Sequence, residues 1–385
     1  MKNHLILILS GYPRRSQMCL VICLLLLSPA MAQQKLSPAL RPGFDKAEYK
    51  ELFYMHVLLY DSTKTDTTRP KFITPKPTQF QQVYQSAVMG LDNKWGLWRK
   101  NATTAAINVR GTTQEPVGWL ENFYAAMVPA KGELKLSNSF TFQYDLADHP
   151  KAAVHIGWLA GTAFLARDIV PKIDSSYKTG TREFLIMGHS QGGAIAFLLT
   201  SHLYSLQKQG KLPKDIRFKT YCSAAPKAGN TYYAYEYEHL VDGGWGYTVI
   251  NAADWIPEVP FSVQTLDDFN ETNPFQNIDA VVKKQKLIAR IALKHAYKKM
   301  RNPSMKAQRN YMKYLGNYAS KSVQKVLPEF QPPVYAKTSN YVRIGPTIML
   351  MPDAEYYKKF PDSKKTIFVH HLTEPYLYLM DKYKY

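Results

Sequence analysis

Two glycines flank a serine in Gly188-His189-Ser190-Gln191-Gly192, a G-x-S-x-G pentapeptide that closes one apolar run and opens a run of small residues. Between a strand and a helix this spacing makes a sharp turn. A side chain at either glycine would collide with neighbouring backbone, and the turn projects the serine hydroxyl outward. The pentapeptide alone occurs by chance, but the apolar stretch 183–187 before it and the helical pattern 194–208 after it supply the strand–turn–helix setting. A serine hydroxyl attacks a carbonyl only when a histidine takes its proton and an acid orients that histidine. In serine hydrolases built on this turn both partners come later in the chain, acid first. Asp254 fits the acid, just past the strand-like stretch 247–250 in Asn251-Ala-Ala-Asp254-Trp-Ile-Pro-Glu-Val-Pro260. Beyond it stand His295, inside a basic helical pattern, and the pair His370 and His371 after the apolar stretch 366–369, so the base is one of that pair. A helix start leaves unpaired N–H groups that can hold an oxyanion, which assigns one donor to Gln191. The second is expected after the strand-like 103–109, where Thr112 offers its N–H and its hydroxyl, although Arg110-Gly111-Thr112 standing alone would be an ordinary strand exit. His155 and His189 both precede Asp254 and read as structural.

The elements that must hold these groups alternate. Residues 95–98 and 103–109 read as a β-hairpin, 218–223 and 247–250 as further strands, and helical spacing recurs at Trp119, Leu120, Phe123, Tyr124 and Met127 and across 152–173. Alternation of this kind predicts an α/β fold with a mostly parallel central sheet over 95–385. Ahead of it, 33–94 reads as an N-terminal helical extension, with helices near 46–59 and 79–91 separated by a Thr/Lys/Pro-rich stretch. A basic helical insertion occupies about 262–338. No Cys/His group has zinc spacing, no P-loop or dinucleotide fingerprint is present, and Asp267-Asp268 is too little for a calcium site, so neither metal nor cofactor is expected.

Composition narrows the classes further. At 385 residues, 45% hydrophobic and 21% charged, the chain fits neither a polytopic membrane protein nor a disordered one. Lys2, Arg14 and Arg15 precede an apolar run from Met18 to Leu27, and Ala30-Met31-Ala32 follows; 1–32 therefore reads as a signal peptide of an exported protein, shorter than the about 20 apolar residues of a bilayer span. Cys19 and Cys23 leave with it, so Cys222 has no disulfide partner. Residues 276–328 hold thirteen Lys and Arg against the single acid Asp279, out of a formal net charge of +19. Helical spacing aligns Lys283, Lys286, Arg290, Lys294, Lys298 and Arg301 in one stripe, opposite Val281, Ile288, Ala292 and Ala296, with a joint at Asn302-Pro303. A local stripe points to an anionic membrane surface rather than nucleic acid. A catalytically idle envelope protein that binds anionic lipid or polysaccharide is the rival from another class, and an ordered Ser, Asp and His argue against it.

The sequence resembles the class 3 lipases, the fungal triacylglycerol lipase-like branch of the α/β-hydrolases. The matching residues are Val109-Arg-Gly-Thr112 with Trp119-Leu120, Val154-His-Ile-Gly-Trp158, the Gly188–Gly193 turn, Thr220-Tyr-Cys-Ser-Ala-Ala-Pro-Lys-Ala-Gly-Asn230, Asp254-Trp-Ile-Pro-Glu-Val-Pro260, Tyr341-Val-Arg-Ile-Gly345 and His371-Leu-Thr-Glu-Pro-Tyr-Leu377. The resemblance implies an α/β-hydrolase fold and a Ser190, Asp254, His371 triad that cleaves carboxylic esters of acylglycerols without a cofactor. Phospholipase and short-chain or polymer esterase activities are the alternatives. The family's His-x-x-Glu-x-Tyr-Leu spacing falls on His371 rather than His370, and its lid corresponds to 113–145. Gln191 stands where leucine is usual, Ala224-Ala225 precede Pro226 where a Ser-Pro or Gln-Pro pair is common, and the basic insertion has no counterpart.

Overall fold

The computed structural model describes residues 40–60 and 75–384; the expected signal peptide lies outside them. Seven strands form the main sheet: β1 (Gln81–Gln85), β2 (Trp95–Arg99), β3 (Thr104–Val109), β4 (Glu183–His189), β5 (Arg217–Ser223), β6 (Gly246–Asn251) and β7 (Thr347–Leu350), lying side by side in that order. β3 to β7 run parallel, and β2 is antiparallel to both its neighbours. β4 is buried along its whole length, as expected of a central parallel strand covered on both faces. Its side chains alternate: Phe184 and Ile186 join the core under the helices Ile156–Lys178 and Gln191–Lys208, while Leu185 and Met187 join a second core on the other face. That second core is closed by the helix Lys46–Val57, through Tyr49, Leu52, Phe53 and Met55, and by the C-terminal helix Thr373–Lys382, through Tyr376, Leu377 and Met380.

Of the two helices expected in the N-terminal extension, one is present. Lys46–Val57 is a helix, capped by Asp45 accepting from the Glu48 N–H at 2.9 Å. Residues 79–91, however, contain strand β1 followed by turns. Glutamine favours helices, yet Gln81–Gln85 sits at an open sheet edge, where pairing with β2 and the packing of Tyr84 on Trp95 (ring centroids 5.3 Å apart) outweigh local propensity.

The expected lid is mostly body. Pro116–Phe123 is a short helix, and Met127 belongs to a strand rather than to that helix. Lys131–Ser137 and Phe140–Asp145 form a hairpin whose Leu134, Leu136, Phe142 and Tyr144 are buried in the first core.

The insertion is closed at its base by a bridge between Val263 and Ser339. It contains the helices Ile278–Lys283 and Leu287–Met312, a π-helical stretch Lys313–Tyr318, and the helix Ala319–Val326. Leu287–Met312 runs unbroken through Pro303, so the joint expected there is absent and the irregularity falls ten residues later. The six-residue basic stripe is also divided: Lys283 lies on the preceding short helix, Lys286 just ahead of the long one, and Arg290, Lys294, Lys298 and Arg301 on it. Residues 279–302 have no buried member, and Ile288 is 84% exposed, so the apolar positions opposite the stripe are uncovered. The far end is rooted instead, with Tyr311 Oη donating to the Phe261 carbonyl (2.6 Å) and the Ala126 N–H to the Leu315 carbonyl (3.0 Å). Among the described residues no helix is long and apolar enough to cross a membrane.

Candidate active site

Ser190 directly follows β4 in a backbone conformation (φ 61°, ψ −132°) that a non-glycine residue rarely adopts. The flanking glycines make the turn possible: a Cβ at Gly188 would strike the Gly192 carbonyl, and one at Gly192 the Val109 carbonyl of β3. The Ser190 N–H is held by the Ser223 carbonyl at 2.9 Å. Gln191 opens the following helix, which leaves its N–H among the unpaired donors of the first turn.

Asp254 follows β6 and is 3% exposed. Its Oδ2 accepts from His371 Nδ1 (2.7 Å) and from Tyr376 Oη (2.8 Å), and its Oδ1 from the Ile256 N–H (3.0 Å). His371 thus turns its other ring nitrogen away from the acid. No hydrogen bond links that nitrogen to Ser190 Oγ, as is common in substrate-free hydrolases, but both residues line one cavity of about 1300 Å³. His370 points elsewhere, with Nδ1 on Tyr356 Oη (2.8 Å) and Nε2 on Asp362 (2.9 Å).

Thr112 and Gln191 line the same cavity. The Thr112 hydroxyl donates to Gln191 Oε1 (3.1 Å) and accepts from Asn122 Nδ2 (2.9 Å). Asn122 is itself fixed, its Oδ1 taking the Trp158 indole N–H at 2.9 Å and its carbonyl taking His155 Nε2 at 3.2 Å. His155 caps the helix Ile156–Lys178 by accepting from the Trp158 N–H, stacks on the indole at 3.7 Å, and is held neutral by burial, its pKa lowered to about 3. The loop 110–113 is pinned from outside: Asp92 pairs with Arg110 (2.8 Å) and accepts from Thr113 Oγ1 (2.6 Å), and Tyr60 Oη accepts from the Gly111 N–H (3.1 Å). His56, buried with its pKa lowered to about 4 by desolvation, lines the cavity nearby.

The remaining wall is largely apolar, with Trp119, Phe123, Ile256, Phe368 and, from the insertion, Tyr311 and Leu315. A cavity that joins a serine, an acid-paired histidine and two amide donors to an apolar wall suits acyl transfer from an ester with a hydrocarbon chain. Among the described residues no three His, Cys, Asp or Glu side chains gather as metal ligands.

Residues 106–264 match the class 3 lipase family. The α/β-hydrolase fold and the carboxylic ester hydrolase class stand with that match. The class 3 lipase segment holds Thr112, Ser190, Gln191 and Asp254; His371, the N-terminal extension and most of the insertion lie outside it. Similar solved structures include a fungal lipase–inhibitor complex described as a model for interfacial activation in lipases (19% identity over 57% of this chain and 77% of that one, TM-score 0.42). Others are the native Rhizomucor miehei lipase propeptide complex (19%, 57% and 65%, 0.37) and Lip2 lipase from Yarrowia lipolytica (17%, 57% and 78%, 0.41). At these values the likeness carries no functional weight. No curated protein matches the chain.

Asp92, Asn122, Tyr60, His56 and Tyr376 are site residues that the sequence reading missed. Asp92, His56 and Tyr60 precede the first recognisable motif, and Asn122 is an unremarkable polar position in an aromatic stripe. Tyr376 was visible, since it falls on the tyrosine of the His-x-x-Glu-x-Tyr-Leu spacing.

Proposed function

We propose that this chain is an exported serine ester hydrolase that cleaves carboxylic esters of acylglycerols or related lipids. The observation that supports this reading best is the Asp254–His371 pair at 2.7 Å in the cavity lined by Ser190. Ser190 Oγ attacks the ester carbonyl while His371 Nε2 takes its proton, and Asp254 holds the imidazole by Nδ1 and stabilises the cation that forms. The N–H groups of Thr112 and Gln191 receive the oxyanion. His371 then returns the proton to the leaving alcohol, and water repeats the sequence on the acyl-enzyme. Ser190→Ala deletes the nucleophile without adding bulk to the turn, and hydrolysis of p-nitrophenyl esters should fall about 10³-fold or more with the fold unchanged. Activity within tenfold of wild type would overturn the mechanism. Running the ester series from short to long chains, with and without a lipid interface, separates a lipase from a short-chain esterase.

The insertion supports a partner for this activity, an anionic lipid surface. Lys283, Lys286, Arg290, Lys294, Lys298 and Arg301 accompany exposed Leu287, Ile288 and Ile291, and an uncovered helix that is both cationic and apolar suits the headgroup region of a bilayer.

A further inference from the structure

Behind the catalytic groups runs a buried file of hydrogen bonds that begins outside the class 3 lipase segment. Tyr49 Oη lies 2.7 Å from Ser223 Oγ, Ser223 Oγ lies 3.0 Å from His189 Nδ1, and His189 Nε2 lies 3.0 Å from the backbone carbonyl of His371. Tyr49 and Ser223 are fully buried and His189 is 6% exposed. The direction of every proton follows from one end. A carbonyl only accepts, so His189 Nε2 carries the hydrogen. Burial lowers the His189 pKa well below its ordinary value, the ring is neutral, and Nδ1 must accept from the Ser223 hydroxyl. That uses the only proton of Ser223, so Tyr49 donates to Ser223 Oγ. Burial also raises the Tyr49 pKa, which keeps its hydroxyl protonated.

Ser223 is where the two halves of the chemistry meet. Its carbonyl holds the Ser190 N–H and its hydroxyl, through His189, holds the loop carrying His371. The His189 ring lies against the His371 ring (centroids 4.7 Å apart), against Phe53 (4.9 Å) and against Tyr376 (5.2 Å).

We propose that Tyr49, Ser223 and His189 are positioning residues that fix His371 relative to Ser190, so that the helix Lys46–Val57 is a working part of the active site. This rests on the proposed roles of Ser190 and His371. Tyr49 and Ser223 do not line the cavity, and His189, at its wall, has both ring nitrogens engaged by Ser223 and the His371 carbonyl; each acts through the next, and together they should affect kcat rather than KM.

The experiment is a set of variants assayed on a soluble short-chain p-nitrophenyl ester, with circular dichroism and Tm confirming folding. Tyr49→Phe keeps the ring and removes only the donor; kcat should fall about three- to tenfold with KM unchanged, the scale of one buried hydrogen bond. Ser223→Ala should lower kcat further. Because Tyr49 acts only through Ser223, adding Tyr49→Phe to Ser223→Ala should change kcat no more. His189→Leu should cost about 100-fold, and His189→Gln, whose amide N–H can reach the His371 carbonyl, should recover part of the loss. Unchanged kcat in Tyr49→Phe, additive losses in the double variant, or equal activity of the Leu and Gln variants would overturn the proposal. Labelling of wild-type Ser190 by a fluorophosphonate separates the two levels. An unlabelled wild type removes the hydrolase reading itself, whereas a labelled wild type with indifferent variants removes only the positioning role.

Discussion

Replacing Lys286, Arg290 and Lys294 by Glu turns three positive charges of the insertion into three negative ones. All three side chains are exposed and, among the described residues, no acid pairs with any of them, so the reversal breaks no ion pair. Near an anionic bilayer each cation contributes roughly 1 kcal/mol, so the six-unit change in charge amounts to about 6 kcal/mol. At about 1.4 kcal/mol per power of ten, that is about four decades in the partition coefficient. Leu287, Ile288 and Ile291, exposed to 67%, 84% and 62%, add a second contribution that salt does not screen, up to about 1.5–3 kcal/mol for each side chain fully removed from water. Cosedimentation with vesicles should therefore show three things. Wild type should bind vesicles containing phosphatidylserine or phosphatidylglycerol far better than neutral ones. Its binding should weaken as the Debye length falls from about 10 Å at 0.1 M salt to about 3 Å at 1 M, leaving an apolar residue of affinity. The triple variant should lose binding yet hydrolyse a soluble short ester at the wild-type rate, since none of the three residues lines the cavity. Equal vesicle binding by wild type and variant would refute the reasoning and leave the helix as a solvated surface.

The other expectations concern the site. His371→Ala should abolish fluorophosphonate labelling of Ser190, whereas His370→Ala should leave labelling intact and lower Tm, because the His370 ring ties Tyr356 to Asp362. Tyr376→Phe removes a buried hydrogen bond to the Asp254 carboxylate, which should cost about 1.5–3 kcal/mol of stability in a denaturant titration and lower kcat by about tenfold or less, since Ile256 still orients the acid. Glu121 is fully buried, and desolvation raises its pKa well above the ordinary value, so the fold favours the protonated carboxyl. The unfolded chain binds fewer protons once pH exceeds the unfolded value of about 4.3, and stability is lost as pH rises through the folded pKa. Glu121→Gln should consequently raise Tm at neutral pH, with the advantage shrinking toward about pH 4 in a thermal-melt series.

The legible part of the site was the part written in short-range spacing. The glycines around Ser190 are required by a turn only a few residues long, and the Asp254 loop and the His371 spacing each lie within one stretch of chain. The helix Lys46–Val57 was readable as a helix, yet nothing in its pattern tells that Tyr49 meets Ser223, 174 residues away. Strand β1 was misread because its glutamines favour a helix locally, whereas the open edge beside β2 was supplied by residues further along.

Sequence by itself determined the chemistry available: which serine is strained outward, which acid and histidine pair follow it, and the alternation of strands and helices that demands a parallel sheet. The resemblance already favours His371 over His370, but only the tertiary structure gives the physical reason: adjacent residues on one loop point to different neighbours, His371 to Asp254 and His370 to Tyr356 and Asp362. It also decided that the lid segment is mostly body and that the basic helix keeps its apolar positions uncovered. Periodicity states which residues share a face. Whether a face is buried depends on what the rest of the chain packs against it, and that is settled by contacts between distant segments, where the hydrophobic gain of closing the two cores outweighs local preference.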